Sequence, residues 1–138
     1  MAIVTRSIRL SSEPDGMTDI TDELRALVDS SGLNDGIATV FCPGSTGALS
    51  TVEFEPGLAK DIPAALERIA PKKWEYAHHL TWGDDNGSGH VRATIIGPSL
   101  TIPFSFGKLT LGEWQQAVFI ECDSRKRERE LVVKLIGE

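Results

Sequence analysis

All three histidines of the chain lie in one short segment, which runs from His78 to His90 and reads HHLTWGDDNGSGH. The same segment contains Asp84, Asp85 and Asn86. Neutral imidazole nitrogens combined with carboxylate or amide oxygens are suitable ligands for zinc, manganese or a related divalent ion. The spacing matches neither a zinc finger nor an HExxH motif. The residues alone therefore leave two interpretations open, a site for metal or acid–base chemistry and a polar loop with incidental histidines.

The elements around this segment decide whether its histidines can meet. Strand-like runs at Trp74–Leu80 and Val91–Ile96 predict that His78 lies near the end of one strand and that His90 opens the next. A hairpin-like excursion between them would return the two imidazoles to within reach of each other. In a strand His79 points to the opposite face from His78, so we expect His79 to be the least important of the three.

A second candidate is the run of small residues PGSTGALST in the first half of the chain. Exposed backbone N–H groups and the hydroxyls of Ser45 and Thr46 can bind phosphate, as in loops other than the Walker type. No lysine follows Gly47 where a Walker loop requires it, and a tight turn between strands explains the composition slightly better. Glu53 falls among apolar neighbours in the next strand, where it is either exposed to water or a general base whose pKa is raised by burial.

The segment GKLTLGEWQQ and a basic cluster supply the remaining polar candidates. Gly107 and Gly112 predict a hairpin with a specific bend. Trp114 is interpreted as a core residue or a subunit contact, and Gln115 faces the opposite side of the same strand. The cluster RKRER that follows later is more typical of a solvated face than of a phosphate site.

Two helices are predicted in the first half of the chain. Apolar residues at helical spacing over Ile20–Val28 predict the first, with acidic residues in its first turn and Gly32 at its end. The second is predicted to start near Asp61, with Pro63 in its first turn and Pro71 closing it.

The remaining segments read as strands separated by glycine and proline. Besides the two strands named above, they are Ile3–Leu10, Gly36–Cys42, Ala48–Phe54, Leu100–Phe106, Trp114–Glu121 and Glu130–Ile136. This spacing is typical of a sandwich or a barrel-like sheet rather than of βαβ crossovers. The predicted fold is therefore β-rich α+β, an antiparallel sandwich or barrel-like sheet with two helices in the N-terminal half. Residues 1–138 contain no repeat or linker, so a single domain is predicted.

The composition is that of a globular protein and argues against polyanionic partners. Of the 138 residues 41% are apolar and 25% are charged, and the formal net charge is −6, which disfavours nucleic acid and anionic membranes as partners. No stretch approaches the ~20 apolar residues that span a bilayer. The alternating start MAIVTRSIRL predicts a strand instead of a signal peptide. Cys42 and Cys122 are predicted to be free buried thiols, which favours the cytoplasm.

Three segments occur together in a recognisable order, namely FCPGSTGALSTVEFEPG, YAHHLTWGDDNGSGHVRATIIGPSLTIP and GKLTLGEWQQ. This ordered set resembles the YjbQ-like family over roughly Ile37 to Arg129. The resemblance implies a β-rich fold with a few helices and assembly as a homotrimer. It also implies secondary thiamine-phosphate synthase activity, in which a hydroxymethylpyrimidine diphosphate is joined to a thiazole phosphate and pyrophosphate is released.

The resemblance further implies roles for particular residues. His78 and His90 would bind a divalent metal ion, zinc, manganese or magnesium, and would take part in catalysis. Glu53 or Asp85 would be the base, or would orient a ligand histidine. Contacts to the phosphorylated substrate are implied for Ser45, Thr46, Asn86, Arg92, Gln115, Arg127 and Arg129.

One position departs from the family's pattern, because Gly44 stands where many members have a histidine. A third imidazole ligand is therefore missing, and oxygen donors or water would complete the metal site. Arg92 matches the basic residue two positions beyond His90, and strand alternation places both on one face. In a three-fold assembly each interface is heterologous, so we expect a composite pocket to which the adjacent chain contributes the terminal arginines.

Two alternatives to a synthase stay open. One is a non-catalytic trimeric module that binds a phosphorylated or metal-bound metabolite. The other is a metal-dependent hydrolase, which would use nearly the same residues.

Overall fold

The chain folds into a curled antiparallel sheet with four helices in the computed structural model, which describes residues 1–138. In chain order the strands are β1 (Ala2–Ser12), β2 (Met17–Asp19), β3 (Gly36–Phe41), β4 (Gly47–Val52), β5 (Ser99–Ser105), β6 (Lys108–Leu109), β7 (Gln116–Glu121) and β8 (Arg127–Gly137). The helices are α1 (Thr21–Ser31), α2 (Leu58–Ile69), α3 (Ala77–Trp82) and α4 (Gly87–Ile96). One sheet has the strand order β1-β8-β3-β5-β6 and a smaller one has the order β2-β7-β4. The strands form a half-barrel, which confirms the predicted β-rich α+β class.

The two ends of the chain pair with each other along the whole of β1 and β8. In β8, Leu131, Val133 and Leu135 are fully buried, whereas the residues between them are more exposed. This alternation is expected where one face of a strand covers a core. Each of the six strands predicted outside the histidine segment overlaps a strand of the structure, so those predictions are confirmed.

The first helix covers the main core as predicted. Leu24 and Val28 lie one turn apart on α1 and are buried in the cluster of apolar side chains that the larger sheet supplies. The helix ends at Gly32, whose φ of 71° is the left-handed conformation that glycine adopts most readily.

The second helix starts one turn earlier than predicted, at Leu58 rather than near Asp61. The carboxylate of Glu55 accepts hydrogen bonds from the backbone N–H groups of Gly57 (2.7 Å) and Leu58 (2.5 Å), which satisfies two of the first donors of the helix. Pro63 consequently lies in the second turn instead of the first.

Two predicted strands are wrong, since Trp74–Leu80 largely becomes α3 and Val91–Ile96 becomes part of α4. Two of the β-branched residues that favoured a strand, Val91 and Ile95, lie on the exposed face of α4 and are 38% and 56% exposed. The buried face of α4 consists mainly of small or polar residues instead. The pattern of apolar residues along the sequence therefore does not mark the side of the helix that packs. The helices are therefore four in number, and two of them lie beyond the N-terminal half.

The close approach of α4 to the smaller sheet depends on Gly89. A Cβ atom at this position would lie 2.4 Å from the carbonyl oxygen of Cys122, a distance that no relaxed contact allows. One turn later the small side chain of Ala93 is buried against Ala48 and Ile120 of the sheet. The first turn of α4 is consequently fixed beside the end of β7.

Three residues predicted inside strands lie just outside them. Glu53 follows the last residue of β4 and is exposed. Trp114 and Gln115 precede β7 and are also exposed. At 70% exposure Trp114 is not a core residue of the single chain, and its role as a subunit contact stays a prediction.

Cys42 and Cys122 are free and buried, as predicted. Burial raises the pKa of the Cys42 thiol, and it raises the pKa of the Cys122 thiol to about 12. Neither sulfur is therefore available as a thiolate nucleophile at neutral pH. None of the four helices has both the length and the apolar character that spanning a membrane would require.

Candidate functional site

His78 and His90 lie against each other, with their ring centroids 4.4 Å apart and their planes inclined by 50°. The prediction that the two imidazoles come within reach is confirmed, although the elements that carry them are helices. His78 lies on α3 and His90 lies in the first turn of α4. Gly83, with a φ of 68°, ends α3 and turns the chain back between them.

Asp84 and Asn86 complete a compact polar group with the two histidines. The carboxylate of Asp84 lies 3.2 Å from Nε2 of His78. One atom of the Asn86 amide group lies 3.2 Å from the same Nε2 and 3.1 and 3.3 Å from the two Asp84 oxygens. Asn86 is buried, whereas the side chains of His78 and Asp84 are 27% and 34% exposed. We name His78, Asp84, Asn86 and His90 the histidine cluster; it is half-open to solvent.

The orientation of the Asn86 amide decides what the histidine cluster can hold. If the nitrogen faces inward, it donates hydrogen bonds to the Asp84 oxygens and to His78 Nε2. If the oxygen faces inward, acceptor atoms converge on one point, and only a cation or a proton can hold them together. Ligand atoms bound to one ion at about 2.1 Å stand roughly 3.0–3.4 Å apart, which matches the observed spacing. With the oxygen inward the donor set fits a divalent ion, whereas with the nitrogen inward hydrogen bonds at the same distances hold the group together.

Asn86 is essential to that fit. No group of three or more His, Cys, Asp and Glu side chains is arranged to hold a metal ion. An amide oxygen is consequently the third protein ligand available beside His78 and Asp84, and water or substrate would fill the remaining positions.

His79 stands outside the cluster. Its Nε2 accepts a long hydrogen bond, 3.4 Å, from the N–H group of Gly87, and its ring packs edge-on against Tyr76 at 5.6 Å between centroids. The sequence prediction for His79 rested on strand alternation, which does not apply to α3. The separation arises because successive residues of a helix point about 100° apart.

Arg92 is a buried tether between α4 and the end of α2. Its guanidinium donates to the carbonyl oxygen of Ala70 (3.0 and 2.9 Å), to Asp15 (3.1 Å) and to Glu67 (2.6 Å), and its side chain is 2% exposed. The expectation that Arg92 shares a face with His90 is wrong, because residues two apart on a helix point about 200° apart. To bind a phosphate, Arg92 would have to break these bonds.

The terminal arginines pair with buried carboxylates at the end of β7. Arg129 donates to both oxygens of Glu121 (2.9 and 2.5 Å), and Arg127 donates twice to Asp123 (2.9 and 2.7 Å). The hydroxyl of Thr46 donates to Asp123 and accepts from Arg129, at 3.0 Å in each case. These five residues form an acid–arginine network that joins the loop before β4 to β7 and β8.

Hydrogen bonding to the network controls the acidity of Asp123. Burial alone would raise the pKa of this carboxyl, but hydrogen bonds from Arg127, Ser124 and Thr46 outweigh it and lower the pKa to about 2. Asp123 is thus ionised throughout the neutral range and supports the backbone that Gly89 contacts.

The other predicted site residues are spread over separate surfaces. Asp85 is exposed and accepts a hydrogen bond from the Ser124 hydroxyl (3.2 Å) instead of joining the histidine cluster. Ser45 is exposed beside α4, in a cavity of about 280 Å³. The amide of Gln115 donates to Thr51 (3.0 Å) and lines a groove along the sheet.

The sequence interpretation missed partners that a closer look at spacing could have found. Glu121 and Asp123 are two residues apart at the end of a strand, and so are Arg127 and Arg129 at the start of the next. Strand alternation places each pair on one face, where opposite charges can meet across the hairpin. Asp84 carried no comparable signal, because its distance from His78 depends on how α3 ends.

The fold and the histidine cluster together define a small β-rich α+β protein with a half-open polar site where two short helices meet. The chain belongs to the UPF0047 family of YjbQ-like proteins, which its sequence matches over residues 6–138. The resemblance seen in the sequence motifs is thereby confirmed.

Relatives from archaea cover nearly the whole chain. A UPF0047 protein of Archaeoglobus fulgidus is 38% identical over 118 residues, which are 86% of this chain and 89% of that protein. Another, from Methanothermobacter thermautotrophicus, is 34% identical over 139 residues, 100% of this chain and 95% of its own. The crystal structure of a protein from Aeropyrum pernix K1 matches with a TM-score of 0.91 at 32% identity, over 98% of this chain and 99% of that one. The crystal structure of a YbjQ-like protein of Sulfolobus solfataricus P2 matches with a TM-score of 0.89 at 30% identity, over 99% of this chain and 100% of that one.

The acid–arginine network predicts a specific pH dependence of stability. Because the folded-state pKa of Asp123 lies below its ordinary value of 3.8, its contribution is complete above about pH 4 and is lost as the pH falls towards 2. We expect Asp123→Asn to lower the free energy of unfolding by roughly 2 kcal/mol at pH 7, and by progressively less between pH 4 and pH 2. Urea denaturation at fixed protein concentration measures the difference. The exposed Asp22→Asn change is the control, and a deficit that does not vary with pH would contradict the assignment.

Proposed function

We propose that this protein is a small trimeric enzyme that acts on phosphorylated small molecules with the help of a divalent metal ion. Thiamine-phosphate synthesis is the reaction to test first. The observation that supports the proposal best is the convergence of the His78 nitrogen, the Asp84 carboxylate and the Asn86 amide at 3.1–3.3 Å, in contact with a second imidazole.

The residues of the cluster divide into ligands and a neighbour. His78, Asp84 and Asn86 would hold the ion, and His90, packed against His78, would be a further ligand or a proton carrier. When bound, a divalent ion supplies positive charge that stabilises the oxygens of a departing diphosphate. Since His78 and Asp84 are about a third exposed or less, the site has both a dry side and an open side for substrate.

The synthase reaction makes modest demands on the protein. A C–N bond forms between the pyrimidine methylene group and the thiazole nitrogen while the C–O bond to the diphosphate breaks. The thiazole nitrogen attacks with a free electron pair, so no proton has to be removed from it. Orientation of two substrates and stabilisation of the leaving group are the main requirements. The exposed positions of Glu53 and Asp85 are compatible with this reaction, because neither needs to act as a buried base.

The surface beside the cluster supports the trimer. Trp82 lies one turn after His78 on α3, and therefore on the same face of that helix, and its side chain is 74% exposed. Leu80 on α3 and Ile95 on α4 are 90% and 56% exposed on other faces of the two helices. A large exposed apolar side chain next to a polar site is typical of a surface covered by another chain. A neighbouring chain placed there would close the open side of the cluster and form a composite pocket. Free thiols at Cys42 and Cys122 favour the cytoplasm as the compartment.

The metal proposal predicts different behaviour for the three histidines. We expect the purified protein to carry a divalent ion, and His78→Ala and His90→Ala to lose it together with thiamine-phosphate formation, because each change removes an imidazole of the cluster. Elemental analysis by mass spectrometry and product detection measure the two properties. His79→Ala is the matched control and should keep both.

The outcomes separate the candidate functions. A wild type without metal and a fully active His90→Ala variant would refute the metal site. Release of phosphate or pyrophosphate without coupled product would favour the hydrolase, and tight binding without turnover would favour the binding module.

Asn86→Asp tests which atom of the Asn86 amide faces the cluster. If the oxygen faces inward towards an ion, the added carboxylate charge should strengthen metal binding by about tenfold or more. In the chelator-treated protein the same change places a second carboxylate beside Asp84 and should lower the thermal midpoint. Thermal unfolding with and without added Mn²⁺ measures both effects. A variant whose stability does not respond to metal would contradict the inward oxygen.

The trimer predicts a defined mass and a sensitive contact. Sedimentation equilibrium should give about three times the chain mass of 15.0 kDa. Trp82→Asp should dissociate the assembly, because it places a charge in the apolar contact beside the cluster. Phe106→Asp, at a similarly exposed position on the hairpin between β5 and β6, is the control and should leave the assembly intact. A monomeric wild type would contradict the proposal.

A further inference from the structure

A second polar cavity lies on the other side of the first turn of α4. It has a volume of about 350 Å³ and is lined by Lys72, Lys73, Asp85, Ser88, Asp123 and Ser124, among others. That volume lies within the range of small-molecule sites, about 300–1,000 Å³. The cavity is distinct from the histidine cluster, because none of the four cluster residues lines it.

Ser88 points to a ligand in this cavity. The residue is only 5% exposed, yet its hydroxyl makes no hydrogen bond to any group of the chain, unlike those of its neighbours Thr94 and Ser124. Every fully buried side-chain oxygen and nitrogen of the protein does have a partner. The Ser88 hydroxyl therefore reaches the open space of the cavity, where it is free to bond to something that the chain does not supply.

The helix adds one donor of the same kind. The N–H group of Gly87 donates to His79 and that of Gly89 donates to the carbonyl oxygen of Asn86, so among the first N–H groups of α4 that of Ser88 is left without an acceptor. An unpaired N–H group at a helix N-terminus favours a negatively charged ligand. The Ser88 hydroxyl is an independent donor at the same place.

Some of the charged groups around the cavity already form ion pairs within the chain, and others do not. Lys72 pairs with Asp15, and the carboxylate of Asp123 is neutralised by Arg127. Lys73 forms no ion pair and is exposed, so its charge is available to a ligand. Asp85 is the one lining carboxylate without a basic partner, and it accepts a hydrogen bond from Ser124. The donors favour an anion, and Asp85 weakens its binding.

We propose that this cavity binds a phosphate group of the substrate, through the hydroxyl and the backbone N–H group of Ser88 and the ammonium group of Lys73. The assignment rests on the proposed function in that it places one phosphate of that substrate. It replaces the loop at Ser45 and the paired arginines as the main phosphate contact. The metal ion and the phosphate then bind on two faces of the same helical turn.

Inorganic phosphate is the probe, and its dissociation constant is measured by NMR titration before and after chelator treatment. Removal of the hydroxyl in Ser88→Ala is expected to weaken binding about tenfold, since a hydrogen bond to a charged group is lost. Lys73→Gln is expected to weaken phosphate binding about threefold, and Asp85→Asn to strengthen it about threefold. Both changes should be smaller at high salt, because salt screens exposed charges. Lys60→Gln on the exposed face of α2 is the matched control and should bind as the wild type does.

The proposal is supported if phosphate affinity falls in Lys73→Gln and Ser88→Ala and rises in Asp85→Asn. Equal losses of phosphate affinity in Lys60→Gln and Lys73→Gln would overturn it. A loss of phosphate affinity in Ser45→Ala without one in Ser88→Ala would overturn it as well. Phosphate binding that survives chelator treatment while metal binding fails would refute the metal site alone. Metal binding without any effect of Ser88→Ala on phosphate would refute this cavity alone.

Discussion

The arrangement of both polar sites depends on one close contact, the approach of Gly89 to the carbonyl oxygen of Cys122. A Cβ atom at Gly89 would lie 2.4 Å from that oxygen, so the helix can rest on the sheet only because no side chain intervenes. The contact fixes the first turn of α4, from which His90 meets His78 on one side and Ser88 faces a cavity on the other. A shift of about 1 Å in this turn would separate the donor atoms of the histidine cluster, because hydrogen bonds and metal–ligand bonds tolerate little displacement.

Two sets of buried ion pairs hold the elements on which that contact depends. Arg92 ties α4 to the end of α2 through Ala70 and Glu67, and the acid–arginine network fixes the end of β7 against β8. A buried charge is tolerated only when it is paired and hydrogen-bonded, which explains why these arginines bind carboxylates and carbonyl oxygens of their own chain. Their positive charge stabilises the fold, whereas the charge of Lys73 has no partner within the chain.

Some of this organisation could be read from the sequence and some could not. The alternation in β8 and the helical spacing of Leu24 and Val28 each encode one buried face, so they predict their elements directly. The residues of α4 carry a misleading signal, because the side that packs includes Gly89, Arg92 and Ala93 while Val91 and Ile95 face outward. Sequence patterns describe which residues are apolar, and a helix that packs through glycine and buried charge does not follow the pattern.

The sequence by itself determined the family, the β-rich class and the segment in which the histidines lie, because these follow from local composition and from motifs in a fixed order. Only the tertiary structure decided which atoms meet. In the folded chain Asp84 and Asn86 lie beside His78. The side chain of Arg92 is buried in the interior, and the Ser88 hydroxyl has no hydrogen-bond partner within the chain. Such contacts join residues from different elements, and their distances depend on how those elements pack, to within less than an ångström, which no local pattern encodes.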